Sequence, residues 1–137
     1  MEELFQLQVL TPASAVYRGE VSAVQLPVAD GTVGVMARHA PMLCAVVEGV
    51  VRCTAAGGEH HYIAVGHGVA HVSDNEVTVL VGVGEQAENI DLARAQAAER
   101  RARERLRKPD PQVDAVRAKA ALHRALARQM AVRLMKK

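Results

Sequence analysis

Aromatic residues make up only 2% of the chain, with no tryptophan, two tyrosines and one phenylalanine. Phe5, Tyr17 and Tyr62 all lie in the first half, so the second half has no ring on which nucleobases could stack. Every apolar run is interrupted by Arg, Glu, His or Asp well before the roughly 20 uncharged residues needed to span a bilayer. Direct membrane insertion by a helix is therefore not expected. The chain has two cysteines, Cys44 and Cys53, without metal-site spacing, and no charged-then-apolar leader. Reduced thiols in a cytoplasmic setting are expected. The two cysteines flank Glu48-Gly49, and a two-residue hairpin there would set them opposite each other on adjacent strands.

Catalytic motifs are missing too. No glycine-rich loop leads into Lys and Ser/Thr, and Gly82-Val83-Gly84 lacks the rest of a dinucleotide fingerprint. Ser14, Ser22 and Ser73 have no nucleophile setting. His60, His61, His67 and His71 lack acidic or thiolate partners at tetrahedral-site spacing, and His60-His61 beside Gly57-Gly58 reads as an exposed turn. Neither an enzyme nor a metal centre is expected.

What is present divides in two. The 137 residues, half of them apolar, suffice for one modest core and an appendage. Residues 1–86 carry three Lys and Arg against nine Asp and Glu, whereas 87–137 carry fourteen against six. A net charge of +2 thus conceals an acidic half, −6, joined to a basic half, +8. Such a basic segment either meets an anionic partner or forms a solvated helix surface.

The two halves also differ in period. Phe5, Leu7 and Val9 alternate, as do Val77, Val79 and Val81, and further valine-rich runs occupy 21–26, 33–36, 43–47, 50–54, 62–65 and 69–72. Turn residues separate them, including Ser73-Asp74-Asn75, and this many short strands predicts a β-sandwich. Beyond Gly84 there is no glycine, and Ala, Arg, Glu and Leu dominate, as in helices. Asn89 suits an N-cap, Asp91 the first turn, and Arg107 and Lys108 the last. Pro109-Asp110-Pro111 ends that helix, and a second is predicted from about 112 to 135 with Val113, Val116, Ala120, Ala127, Met130 and Leu134 on its apolar face. The short linker implies an antiparallel hairpin. Its seam is alanine-rich, with Ala93, Ala97, Ala98 and Ala102 on the first helix. Small faces bury little area and hold weakly, at about 25 cal/mol per Å². The tail is therefore either built to open at low cost or simply a closely packed helix pair.

Four stretches in order carry a family resemblance: Val9-Leu10-Thr11-Pro12 with Val16-Tyr17-Arg18-Gly19-Glu20-Val21; Gly31-Thr32-Val33-Gly34-Val35-Met36 through His39-Ala40-Pro41-Met42-Leu43; Tyr62-Ile63-Ala64-Val65-Gly66-His67-Gly68 with Val77-Thr78-Val79-Leu80; and Ile90-Asp91-Leu92-Ala93-Arg94-Ala95. Along nearly its whole length the chain resembles the epsilon subunit of bacterial F-type ATP synthases. Ala37-Arg38 stands where that family commonly has Pro-Gly, and His67 where it usually has a small residue.

The resemblance implies an α+β fold: a head of about ten strands in a β-sandwich over 1–86, then a basic, regulatory, antiparallel two-helix hairpin over 87–137. It implies a non-catalytic rotor subunit of the central stalk, peripheral on the cytoplasmic side of the bacterial cell membrane, coupling proton translocation to ATP synthesis. Asp30 and Gly31 would approach the c-ring; Arg38, His39, Ala40, Pro41 and Met42 would lie near the gamma subunit. The basic hairpin would touch the catalytic alpha and beta subunits transiently and inhibit ATP hydrolysis. ATP is implied as a regulatory ligand, magnesium left open, on Glu85, Ile90, Asp91, Arg94, Ala95, Arg101, Arg117, Arg124 and Arg128.

Spacing supports part of that site independently. Arg94 and Arg101 are seven apart, as are Arg117 and Arg124, with Arg128 four further on, so each set forms a stripe. Facing guanidinium stripes repel unless an anion such as phosphate lies between them. Alternatively, Asp91 and Arg94 pair at i, i+3 and the other arginines are solvated or meet acidic protein surface. That would leave a coupling subunit without nucleotide. A nucleic-acid-binding basic tail and a free-standing enzyme are the other classes, disfavoured by the missing aromatics and the missing convergent titratable set.

Overall fold

The computed structural model describes residues 3–108, 110 and 114–137. Alternating apolar residues build the strands β1 (Phe5–Leu10), β2 (Ala15–Val28), β3 (Gly31–Met36), β4 (Met42–Val46), β5 (Gly49–Ala55), β6 (His60–Val65), β7 (Gly68–Ser73), β8 (Glu76–Val81) and β9 (Gly84–Gln86). A 3-10 turn at Ala87–Asn89 leads into α1 (Leu92–Arg107), and α2 (Ala115–Met135) follows.

The sheet runs in the order β4-β7-β8-β1-β2-β5-β6-β9, with β3 also on β2. All pairs are antiparallel except β1 with β8. Among the described residues nine strands stand where the resemblance implied about ten, and the run expected at 21–26 belongs to the longer, 14-residue β2. Its first part pairs with β1 and its second with β3 and β5, and a register shift between Val21 and Ala23 marks the change of partner. β2 therefore belongs to both layers of the sandwich. Inward residues from both, among them Leu7, Val9, Val24, Leu26, Ile63, Val77 and Val79, form one buried core. A buried Val, Leu or Ile contributes about 1.5–3 kcal/mol, so this core dominates the stability of the head.

Cys44 and Cys53 do not face each other: β4 pairs with β7, while β5 pairs with β2 and β6. Val47 N–H instead bonds the Pro27 carbonyl at 3.1 Å, so the chain crosses between layers at Glu48-Gly49 rather than folding back on itself. His60 and His61 begin β6 rather than lying in a turn, and the His61 ring tilts against Tyr17 with centroids 5.3 Å apart.

Asp91, not Asn89, caps α1, its Oδ1 accepting the Arg94 backbone N–H at 3.2 Å. Asp114 caps α2 by accepting from Val116 and Arg117 N–H. The buried stripe of α2 is Ala118, Ala125, Ala127, Ala131 and Val132, whereas Val116 is 78% and Met130 48% exposed. The expected face holds in part, with Ala127 buried and Ala120 and Leu134 half-buried, but Val116 and Met130 give way to Ala118, Ala125 and Ala131, because close packing selects small residues that let the backbones approach. Val113, Pro109, Pro111 and the expected helix start at Gln112 lie outside the described residues. On α1 the buried seam is Ala95 and Ala102, Ala97 and Ala98 are half-buried, and Ala93 faces outward. One side of α2 lies on α1, and the other, through Ala127 and Ala131, meets Ala64, Ala87, Val50, Tyr62 and Ile90 of the head and connector.

Candidate functional site

Where α1, α2 and the end of the sheet meet, charged residues from three elements converge. Glu85 comes from β9, Asp91 from the N-cap of α1, Arg94, Ala98 and Arg101 from one stripe of α1, and Arg128 from α2. With Ala95 they line a cleft of about 200 Å³. Ala95 is buried, so it forms the floor of the cleft as part of the helix seam.

The cleft is electropositive. Arg128 Nε lies 3.7 Å from Glu85 Oε1, both side chains more than a third exposed, a contact worth about 0–1 kcal/mol. Asp91 is engaged with the Arg94 backbone, so the i, i+3 side-chain ion pair considered above does not form. Among the described residues, Arg94 and Arg101 have no ion-pair partner. Glu85 and Arg128 also border a neighbouring cleft of about 290 Å³, floored by Ala64, Val65, Val83 and Gly84 and closed by Arg124.

The sequence-derived set therefore assembles in part. Glu85, Asp91, Arg94, Ala95, Arg101 and Arg128 share one cleft, and Arg124 joins its neighbour. Ile90 is half-buried among Ala64, Ala87, Ala127 and Ala131 and sets the position of the helix start. Arg117 lies elsewhere, in a wider cleft of about 750 Å³ with Arg124, Arg105, Asp114 and His67. Ala98 was not anticipated, although its spacing from Arg94 and Arg101 marks it as one of their stripe.

The other singled-out positions are surface features of the head. Asp30 is exposed in the turn joining β2 to β3, and Gly31 has φ 144°, open to glycine. Arg38 holds φ 61°, its N–H bonded to Asn75 Oδ1 at 2.8 Å and its guanidinium 2.7 Å from Glu3. Left-handed backbone at Arg38 is the conformation that glycine would adopt freely. His39, Ala40, Pro41 and Met42 run from there into β4, beside Met36 and Leu43, 67% and 71% exposed. Register places Leu43, Ala45, Val69 and Leu80 on one outward face of β4, β7 and β8.

The ATP synthase delta/epsilon-chain β-sandwich domain matches residues 4–87, and the delta/epsilon-chain long α-helix domain matches 88–132. The chain belongs to the ATP synthase delta/epsilon family. It is 44% identical over 128 residues to the ATP synthase epsilon chain of Nitratidesulfovibrio vulgaris, covering 93% of this chain and 95% of that one. The epsilon chain of Desulfitobacterium hafniense is 40% identical over 133 residues, covering 97% and 99%. Among solved structures, a chain of the Euglena gracilis mitochondrial ATP synthase OSCP/F1/c-ring assembly superposes with TM-score 0.82 at 22% identity, covering 94% of this chain and 81% of that one. A chain of the Tetrahymena thermophila mitochondrial ATP synthase central stalk and c-ring gives TM-score 0.55 at 16% identity, covering 98% and 96%. These epsilon-chain relatives make this an epsilon-type subunit of the F-type ATP synthase family. No helix among the described residues is long and apolar enough to cross a membrane.

Proposed function

We propose that this subunit is a non-catalytic rotor component whose head couples the stalk to the proton-driven c-ring and whose hairpin, closed around ATP, regulates ATP hydrolysis. The outward apolar face of Leu43, Val69 and Leu80, continued by Arg38, His39, Ala40, Pro41 and Met42, is the docking surface for gamma. An exposed apolar strip on an otherwise polar head suits a protein partner. The exposed Asp30-Gly31 turn meets the c-ring, whose presence beside the stalk in the mitochondrial assemblies supports that assignment. The protein then sits peripherally on the cytoplasmic side of the bacterial membrane.

The regulatory reading rests on one observation: guanidiniums from both helices and carboxylates from the head and the α1 cap border the same cleft. Closing the hairpin brings Arg128 up to Arg94 and Arg101, and the repulsion between the helices opposes closure until an anion enters. A triphosphate supplies that charge in a geometry that forked guanidinium donors match. Glu85 and Asp91 offer carboxylate acceptors to the exocyclic amine of the base. When ATP leaves, repulsion favours release, and the basic helices are free to reach acidic surface on the alpha and beta subunits and inhibit hydrolysis.

Calorimetric titration of the full chain with ATP, with and without magnesium, tests this. Arg94→Ala and Arg128→Ala should each weaken binding about tenfold, the loss of one charge-assisted hydrogen bond. No heat at millimolar ATP, or affinity unchanged in both variants, would leave a coupling subunit without nucleotide control.

A further inference from the structure

A cleft of about 750 Å³ lies at the far end of the hairpin from Asp91, and it holds Arg117 and Arg124, which the resemblance had assigned to the nucleotide site, away from Arg94. Its walls come from three separate elements: His67 on the turn between β6 and β7, Arg105 on α1, and Arg117 and Arg124 on α2. Asp114 also borders it, its Oδ1 accepting the Val116 and Arg117 N–H groups, so the lining sets three guanidiniums against one carboxylate. Among the described residues, Arg105, Arg117 and Arg124 have no ion-pair partner, unlike Arg103, Arg107 and Lys108 on the same hairpin.

On the head side of this cleft the backbone is tied down by hydrogen bonds. Gly66 N–H bonds the Val83 carbonyl at 2.9 Å, and Gly82 N–H bonds the His67 carbonyl at 3.3 Å, pinning the turn from both sides. A Cβ on Gly68 would overlap the Leu80 carbonyl, so the strand crosses there with no room for a side chain. His67 Nδ1 lies 3.3 Å from Glu48 Oε1, which tethers the ring. Arg124 is held against the same turn, its Cδ 3.8 Å from where a Gly66 Cβ would stand.

We infer that this cleft is a second anion site, for the phosphate chain of a polyphosphate, formed only when the hairpin is folded on the head. Three guanidiniums without ion-pair partners, from two helices, meet the exposed His67 imidazole, itself beside Glu48, in about 750 Å³ of open space. A single phosphate can bridge two such forks, and a chain of phosphates offers acceptor oxygens to more of them. An occupant ties head, α1 and α2 together, so it favours the closed hairpin independently of the cleft at Arg94. Inorganic triphosphate and the phosphate chain of a nucleotide share this chemistry.

The test uses the full chain in nuclear magnetic resonance and calorimetric titrations with sodium triphosphate and, separately, with ATP. Triphosphate should shift the His67 ring signals and the Arg105 and Arg117 side-chain signals. Binding should weaken about tenfold for each of Arg105→Ala and Arg117→Ala. Both residues are exposed, and circular dichroism would verify that the variants keep their helices. Arg94→Ala should leave the His67 shift intact, which separates this site from the nucleotide cleft. If ATP also moves His67 in Arg94→Ala, a nucleotide supplies the phosphate chain; if only triphosphate does, the site selects the inorganic anion. Three results would overturn the inference: no His67 shift at millimolar triphosphate, binding abolished by Arg94→Ala but untouched by Arg105→Ala, or the same signals moved by an acidic peptide and not by triphosphate.

Discussion

At the scale of single residues, Asn75 does the most with one side chain. It holds φ 59° in the β7–β8 turn, accepts the Arg38 N–H at 2.8 Å and donates to the Leu4 carbonyl at 2.9 Å. Asn75→Ala removes two hydrogen bonds and a residue suited to left-handed backbone, so unfolding by denaturant should show a loss of about 2–3 kcal/mol. A second residue-scale feature is the contact of Tyr17 with Cys53. Burial, and then the neighbouring thiol, pushes the Tyr17 hydroxyl up to about 12. Burial pushes the Cys53 thiol up to about 11. Because both folded values are raised, their contribution to stability is complete below the unfolded values and is lost as pH rises through the folded ones. Denaturation midpoints should therefore hold up to about pH 9 and fall between about pH 9 and 12, and Tyr17→Phe should flatten that slope. Residue identities were legible in the sequence where chemistry is local, as with the Asp74-Asn75 turn. They were not where a partner is distant: nothing near Cys53 in the chain announces Tyr17.

At the scale of elements, periodicity located the strands, but local turn signals could not tell a hairpin from a crossing. Glu48-Gly49 has the composition of a tight turn, yet β4 and β5 leave it for different layers. The helices were legible as helices; the face of α2 was legible only in part, because Ala127 is buried as expected but Val116 and Met130 are exposed while alanines fill the seam. Each alanine methyl contributes only about 0.8 kcal/mol, and close approach is what the seam requires. Ala125 is fully buried there, so Ala125→Leu should force the helices apart at about 1–3 kcal/mol. Tryptic cleavage within the hairpin should then accelerate while the head stays resistant. The hairpin also has an acid-sensitive cross-link. Glu99 accepts from Gln129 across the helices at 2.8 Å and from Arg103 at 2.7 Å. These bonds, the Gln129 one first, hold its carboxyl below the usual range. A depressed value means stability present above the unfolded value and lost as pH falls through the folded one. Helix-pair stability should drop below about pH 4, and Glu99→Gln should remove that dependence.

For the whole molecule, the decisive contrast is between two kinds of packing. The head is closed by β2 shared between layers around a continuous core of Leu, Ile and Val. The hairpin is attached to it through Ala127, Ala131 and Ile90, and carries an excess of positive charge that closure concentrates. The acidic and basic halves, the change of period and most of the arginine cleft could be read from the chain. Arg117 is separated from Arg94 by the antiparallel hairpin itself, since the start of α2 lies beside the end of α1 and Arg105; heptad spacing within each helix groups arginines on a stripe but does not bring the two stripes into one site. Hydrogen exchange on the full chain, with and without ATP, measures this contrast most directly. Amides of α1 and α2 should exchange much faster than those of β1, β2, β7 and β8, and ATP should slow the helices while leaving the strands unchanged. Helices that exchange as slowly as those strands, and that ATP does not affect, would contradict a hairpin held closed by its ligand.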